Sequence, residues 1–204
     1  LNINFFIKAS YNISMSYVPL NIYSGYSFLS STLKVKDIFN VCNKFNYNYF
    51  GIADLNVMHS YSEIESSANS SNIHPIYGAS FYYLLNNEHR LLLSCYIINQ
   101  TGYLNLIKII SNYPQGITLS NLKSIGKGLV CVLSTSKSEE FLRLLQNNKL
   151  SSISKELQQL SDCFDDFFFG IEIYTQQEID IANEIRNFAE SHSYKCVAFN
   201  KHLY

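Results

Sequence analysis

The residues best placed to do chemistry lie in segment 17–31, a short strand-like stretch that leads into a turn rich in Ser and Gly. Apolar residues alternate there with Pro19, Asn21 and Tyr23, so these three side chains are expected on one face at the end of a strand. A metal enzyme built on such a strand would carry histidine or carboxylate at these positions, because divalent cations need converging nitrogen or oxygen lone pairs. Two interpretations follow: an ordinary strand, or a metal site without its ligands.

The other chemically versatile side chains form no recognisable constellation. Four histidines fall in predicted loops or at element ends without paired spacing, which favours surface or capping roles: His59, His74, His89 and His192. An acidic run before a predicted strand is interpreted as a solvated loop or helix end: Asp162, Asp165 and Asp166. The five cysteines contain no C-x-x-C pair, which favours buried reduced thiols in a cytoplasmic protein: Cys42, Cys95, Cys131, Cys163 and Cys196.

The composition narrows the class of protein. Of 204 residues, 47% are hydrophobic and 15% are charged, which is typical of a globular chain with one sizeable core. No unbroken apolar run reaches the length of a membrane span, so no contact with a membrane is expected. The formal net charge of -1 argues against a general electrostatic attraction to nucleic-acid phosphates. We therefore expect any contact with nucleic acid to be indirect.

The elements that must position the first strand alternate along the chain. Apolar runs of strand length are followed by stretches with helical periodicity, joined by short loops, and about seven strand candidates can be counted. This pattern predicts an α/β fold with a mostly parallel sheet and outer helices, a distorted TIM-like (β/α)7 barrel. An open doubly wound sheet is the alternative, but no Gly-rich fingerprint follows the first strand to support a dinucleotide site.

Local signals add detail to this expectation. Segments 73–78, 81–85 and 90–98 are predicted to be extended, and the polar turn between the last two indicates either a hairpin or one strand with an excursion. Ser31 or Thr32 is predicted to cap the first helix, and Thr101 a later one. For domain organisation, residues 1–15 are predicted to be a poorly ordered N-terminal extension and residues 16–204 one domain.

Several blocks of the chain match the pattern of one family in order. Residues 19–29 follow H-x-H-x-H-[ST]-x-Y-S-x-L everywhere except at the three histidines. Residues 51–58 are similar to a strand ending in T-D-H-x-N-M, and residues 74–80 to K-P-I-x-G-x-E with serine in place of glutamate. Residues 99–106 reproduce N-x-x-G-Y-x-N-L.

Three later blocks complete the match. Residues 128–134 resemble G-L-I-x-L-S-G, residues 169–173 resemble F-Y-x-E-[IL], and residues 198–204 resemble A-T-N-D-x-H-Y. Together the blocks resemble the PHP (polymerase and histidinol phosphatase) domain found at the N-terminus of the alpha subunit of bacterial DNA polymerase III. The resemblance covers nearly the whole chain after Met15, and it implies the PHP type of barrel.

The resemblance also implies where a metal site would be. Active members of the wider family bind two or three divalent metals at the barrel mouth, where the metals activate water for phosphoester hydrolysis. The matching positions, expected to line the mouth without metal and without catalytic residues, are Pro19, Asn21, Tyr23, Asp54, Leu55, Ser80, Thr135, Lys201 and Leu203. Leucine has no lone pair to donate, and a lysine ammonium repels a dication. His202 is offset by one residue from the matching position, which turns its side chain to the opposite face.

The implied function is that of one module of a larger enzyme. The parent resembles a DNA-directed DNA polymerase, a nucleotidyltransferase of DNA replication whose Mg²⁺ would belong to a palm domain outside this chain. The module itself is expected to be non-catalytic and without a cofactor. Its expected partners are the remaining domains of the alpha subunit and a proofreading exonuclease subunit docked on it, with DNA contacted only indirectly.

Two other functions stay open. One is a metal-dependent phosphoesterase or 3'-5' exonuclease with an altered ligand set around Asn21, Tyr23, Asp54 and His202. The other is a free-standing scaffold derived from such a polymerase.

Overall fold

The computed structural model describes residues 17–85, 89–147, 149–176 and 178–202. Within these ranges the strands are β1 (Asn21–Ile22), β2 (Tyr49–Leu55), β3 (His74–Leu85), β4 (His89–Ile97), β5 (Leu129–Ser134), β6 (Asp166–Ile171), β7 (Lys195–Ala198) and β8 (Lys201–His202). The helices are α1 (Val35–Phe45), α2 (Tyr61–Ala68), α3 (Gln100–Asn112), α4 (Leu119–Ile125), α5 (Glu139–Gln146), α6 (Ser154–Ser161) and α7 (Glu178–Ser191), with short 3₁₀ turns at Thr135–Lys137 and Leu150–Ile153. The predicted extension, residues 1–15, lies outside the described residues.

All described strands join one sheet, in the order β7-β6-β5-β4-β3-β2-β1-β8. Neighbouring strands are parallel except that β4 is antiparallel to both β3 and β5. The sequence separated residues 73–78 from residues 81–85, but the structure merges them into β3, which forms a long hairpin with β4. The small residues between the two apolar runs remain in the ladder, since Ala79 pairs with Cys95 and Ser80 with Ser94.

The two edges of the sheet are brought together by the last described strands. Strands β7 and β8 lie at opposite ends of the strand order, yet only Phe199 and Asn200 separate them. Such a short connection spans about 10 Å at most, so the sheet must curl until its edges meet. Phe199 touches both edges: its N–H donates to the carbonyl of Ile171 at 2.9 Å, and its carbonyl accepts from Nδ2 of Asn21 at 3.0 Å. The predicted distorted (β/α)7 barrel is confirmed, with β7 and β8 together acting as the seventh strand.

Strand alternation divides the core into an interior and an outer layer. Inside the barrel, one cluster gathers Leu20, Tyr23, Ala53, Tyr96, Val132 and Phe199. The outer face of the sheet packs against the helices in two further clusters, one of them around α1. Gly51 and Gly78 make room for the interior ring of Tyr96, because a Cβ on either would approach that ring to 3.1 Å or less.

Helix starts differ from the sequence-based expectations. Helix α3 is capped by Asn99, whose Oδ1 accepts the N–H of Gly102 at 2.9 Å, and Thr101 lies inside the first turn. The Ncap residue of α1 is Lys34, which makes no side-chain cap, whereas the hydroxyl of Ser31 accepts the N–H of Leu33 within the preceding turn.

All five cysteines are free, and four are buried. In the described part of the chain, every helix is too short or too polar to span a bilayer.

The barrel mouth as candidate functional site

A chain of hydroxyl groups crosses the interior near the carboxyl ends of the parallel strands. The phenol of Tyr23 donates to Oγ of Ser80 at 3.1 Å, and Oγ of Ser80 lies 2.7 Å from Oγ of Ser94. All three side chains are buried. Burial raises the pKa of Tyr23 to about 12; the bond with Ser80 opposes this shift, and the nearby Glu172 carboxylate adds to it. The phenol is therefore neutral at physiological pH and acts as a hydrogen-bond donor.

Asn21 lies next to these hydroxyl groups, at the seam where β7 and β8 close the barrel. Its side chain is buried, and Nδ2 donates to the carbonyl of Phe199. Its Oδ1 is also buried and has no hydrogen-bond partner among the described residues. Asn21 pairs in register with Lys201 of β8, so two positions that the sequence resemblance assigned to the mouth are neighbours on adjacent strands.

Asp54 occupies a separate polar centre. Its carboxylate is fully buried and accepts four hydrogen bonds: from the N–H of Ser24 at 2.6 Å, and from the hydroxyls of Ser24, Ser27 and Ser60 at 2.8, 2.7 and 2.6 Å. The neighbouring Leu55 packs against the interior cluster, so the alternation of β2 turns Asp54 toward the helices. This carboxylate fastens the turn after β1 to the residue that precedes α2.

Glu172 is an interior carboxylate that sequence reasoning did not single out. It follows β6 and is buried; Oε1 accepts from Oγ of Ser134 at 2.9 Å, and Oε2 accepts from the phenol of Tyr174 at 3.0 Å. The only signal in the sequence was the F-Y-x-E block, in which the glutamate could be matched. Its proximity to Tyr23 depends on the closure of the barrel between β6 and β1.

The other matched positions that the structure describes lie at the seam and near the mouth. Pro19 is buried, and its carbonyl accepts the N–H of Gly51 at 2.8 Å. Thr135 is buried, and its Oγ1 donates to the carbonyl of Gly170 at 2.5 Å. Lys201 is placed by its backbone in β8, and Leu203 lies outside the described residues.

The side chains that the structure describes at the mouth do not fit a cluster of divalent metals. Such a cluster needs several carboxylate or imidazole ligands on one point. Within the described ranges, no group of three or more His, Cys, Asp or Glu side chains could hold a metal ion. Asn21, Tyr23 and Ser80 offer neutral oxygens, while the oxygens of Asp54 and Glu172 already accept hydrogen bonds.

The N-x-x-G-Y-x-N-L block lies away from the mouth and holds the fold together. Asn99 caps α3, and Nδ2 of Asn105 donates to the carbonyl of Lys127 at 2.9 Å. Gly102 packs against Gly128 so closely that a Cβ on Gly102 would lie 1.8 Å from the Gly128 carbonyl oxygen. The block therefore clamps the start of α3 onto the residues that lead into β5.

Comparison with curated proteins finds relatives among subunits of one enzyme. The chain is 35% identical over 92 residues to the DNA polymerase III subunit alpha of Ureaplasma parvum, covering 45% of this chain and 9% of that protein. It is 25% identical over 191 residues to the same subunit of Chlamydia pneumoniae, covering 82% of this chain and 15% of that one. For Bacillus subtilis the match is 27% over 124 residues, with 58% and 11% covered. The chain thus spans a small fraction of these relatives.

Solved structures share the fold at low sequence identity. A putative metal-dependent phosphoesterase from Bifidobacterium adolescentis matches with a TM-score of 0.58 at 8% identity, covering 89% of this chain and 86% of that one. An amidohydrolase from Chromobacterium violaceum matches with a TM-score of 0.59 at 7% identity, covering 91% and 88%. The family model described as "PHP domain" matches residues 19–176, which is most of the sequence. The chain belongs to the PHP domain family.

Proposed function

We propose that this chain is the PHP module of a DNA polymerase III alpha subunit, and that it is a non-catalytic structural domain that docks the proofreading exonuclease subunit. The observation that carries the proposal is the hydrogen-bonded chain Tyr23, Ser80 and Ser94, because two of its members stand at positions matching metal ligands of active family members. Buried neutral hydroxyls that bond one another stabilise the barrel without a cation.

The chemistry of the mouth supports a loss of catalysis. Hydrolysis of a phosphoester in this family needs metal-bound water as the nucleophile and a cation to offset the developing charge. Tyr23 is protonated at neutral pH because burial raises its pKa to about 12, so it supplies a hydrogen-bond donor where the family pattern has the lone pair of a histidine. We therefore assign a structural role to the degenerate metal site. In this proposal, Mg²⁺ binds in the palm domain of the parent polymerase.

The rim of the barrel mouth carries exposed apolar side chains that suit contact with a protein partner. In the turn after β1, Phe28 and Leu29 are 83% and 92% exposed, and beyond β6 Ile173 and Tyr174 are also exposed. Both loops follow carboxyl ends of parallel strands, and β1 and β6 are separated only by the seam formed by β7 and β8. Exposed apolar side chains grouped at one end of a domain are typical of a docking surface. DNA would then be contacted by the docked subunit and the other polymerase domains.

Direct binding tests this role. The purified chain would be titrated with the proofreading exonuclease subunit of its own organism, by calorimetry and size-exclusion chromatography. We expect a complex at micromolar concentration. The double variant Phe28→Ser with Leu29→Gly should weaken it at least about tenfold, the loss expected for removing central apolar anchors. Leu29 has a φ of 60°, so glycine also relieves its left-handed backbone and should not impair folding.

A matched control distinguishes specific docking from nonspecific hydrophobic association. Phe45 is 54% exposed at the end of α1, before β2 begins, and so lies at the opposite end of the barrel. Phe45→Ser should leave the complex unchanged. The absence of any complex at micromolar concentration would exclude the docking role.

The rival function is a phosphoesterase or exonuclease with an altered ligand set, and the fold shared with a putative metal-dependent phosphoesterase keeps it worth testing. Dialysis against Mn²⁺ or Zn²⁺, followed by elemental analysis and an assay on bis-p-nitrophenyl phosphate, distinguishes the two. Stoichiometric metal with hydrolysis that depends on Asn21 and Glu172 would replace the structural proposal.

A further inference from the structure

A pocket lies on the outer wall of the barrel, between α2 and α3. Its volume is about 400 Å³, within the range of about 300–1,000 Å³ that is common for ligand sites. Its walls include Tyr61 and Glu65 of α2, Tyr77 of β3, Ile97 of β4 and Tyr103 of α3. Tyr61 and Tyr77 also pack against the helix-facing core clusters, which places the pocket on the opposite side of the sheet from the interior hydroxyl chain.

Aromatic rings dominate the walls of this pocket. The rings of Tyr61 and Tyr77 lie 4.8 Å apart between centroids and are inclined at 54°, and Tyr103 is 39% exposed at the rim. A tyrosine face carries partial negative charge, so a group of such rings attracts a cation. Burial raises the pKa of both Tyr61 and Tyr77, so these phenols stay neutral at physiological pH.

The charge of the pocket has one sign. Among its lining residues, all within the described chain, Glu65 is the only charged side chain. Its Oε2 accepts the phenol of Tyr77 at 2.5 Å, which orients the carboxylate beside the aromatic wall. The hydroxyl of Tyr61 is itself buried, so Tyr61 contributes its aromatic ring to the pocket wall and Glu65 supplies the charged acceptor.

We propose that this pocket binds an arginine side chain presented by a protein partner. A planar guanidinium can stack on tyrosine rings while its N–H groups donate to the carboxylate of Glu65. Arginine fits better than lysine because its charge is flat, delocalised and weakly hydrated. Ile97 provides an apolar contact for the methylene stem. This site is independent of the barrel mouth and of the docking role proposed for it.

Titration with small probes tests the site. N-acetyl-arginine methylamide is added to isotopically labelled protein and followed by the NMR signals of Tyr61, Tyr77 and Tyr103. We expect saturable shifts with a millimolar dissociation constant, weaker binding of the lysine analogue, and no binding of the neutral citrulline analogue. Citrulline binding as strongly as arginine, equal binding of lysine, or no saturation at 100 mM probe would each overturn the proposal.

Variants locate the interaction. Glu65→Gln should weaken arginine binding at least about fivefold, since it removes the single negative charge while leaving an exposed helix position folded. Glu63→Gln removes an equivalent charge on the same helix outside the pocket lining and should have no effect. A blocked pentapeptide with a central arginine should bind at least as tightly as free L-arginine. Tighter binding of the free amino acid, or an unchanged affinity in Glu65→Gln, would contradict an arginine site for a protein partner.

Discussion

The phenol of Tyr23 donates a hydrogen bond of 3.1 Å to Oγ of Ser80, across 57 residues of sequence. The sequence resemblance implies metal-ligand positions for both residues, and in the structure they contact each other directly. Ser80 continues the contact to Ser94 on the antiparallel strand β4. The residues that could have approached a metal therefore form an internal link between β1, β3 and β4.

Tyr23 should make stability depend on alkaline pH. Its pKa is about 12 in the folded chain, mainly through burial, and about 10 in the unfolded chain. Because the folded pKa is raised, this contribution is fully present below pH 10 and is lost as pH rises toward 12, by about 3 kcal/mol in total. Tyr23→Phe loses the bond to Ser80, so it should lower the free energy of unfolding by about 1 kcal/mol at pH 8. Phenylalanine does not ionise, so at pH 11 the variant should be as stable as the unsubstituted protein or slightly more stable. Urea unfolding at the two pH values measures the difference, and an equal cost at both would contradict it.

Asn21 should stabilise the closing seam. Asn21→Ala removes the hydrogen bond to the carbonyl of Phe199, and we expect a loss of about 1–2 kcal/mol in the free energy of unfolding. Asn21→Asp should cost more than Asn21→Ala, since it loses the same hydrogen bond and also buries a carboxylate beside the carbonyl oxygen of Phe199. Chemical denaturation gives both values. An alanine variant as stable as the unsubstituted protein would show that the amide donor is not what holds the seam.

Asp54 should be among the most sensitive positions for folding. Asp54→Ala leaves four donors around a buried site without their acceptor, and we expect a loss of at least about 3 kcal/mol. Asp54→Asn should cost less, because the serine hydroxyls can reverse their bonds toward an amide. Asp162→Ala, at an exposed position, serves as the control and should change stability by no more than about 0.5 kcal/mol. Equal losses for the alanine and asparagine variants would argue against this network.

Gly102 should tolerate no side chain. A methyl group there would meet the backbone of Gly128 at 1.8 Å, so Gly102→Ala must push α3 away from the loop before β5. We expect a loss of more than about 3 kcal/mol or a failure to fold. Gly25→Ala is the matched control, because a Cβ at Gly25 would meet its nearest atom at 3.5 Å, an ordinary contact. Thermal unfolding of the two variants compares them, and a mild effect at Gly102 would refute the close approach.

Much of the architecture could be predicted from local sequence patterns. Helical periodicity in α1, α3 and α7 and the apolar runs of β2 and β5 depend on side chains a few residues apart, so they can be recognised without the fold. The antiparallel placement of β4 could be anticipated only as a hairpin signal. Helix α4 was not predicted, and its seven residues are short enough that packing rather than propensity decides it.

The sequence by itself determined the α/β class, the family pattern and the absence of histidine at Pro19, Asn21 and Tyr23, because these follow from residue identity and short-range spacing. Only the tertiary structure decided which polar groups meet. Asp54 and Leu55 are adjacent in a strand, so pleating sends the carboxylate toward Ser24 and the leucine into the barrel. The placement of Glu172 near Tyr23 depends on where the closed sheet brings β6 and β1, and that closure is set by contacts between residues far apart in sequence.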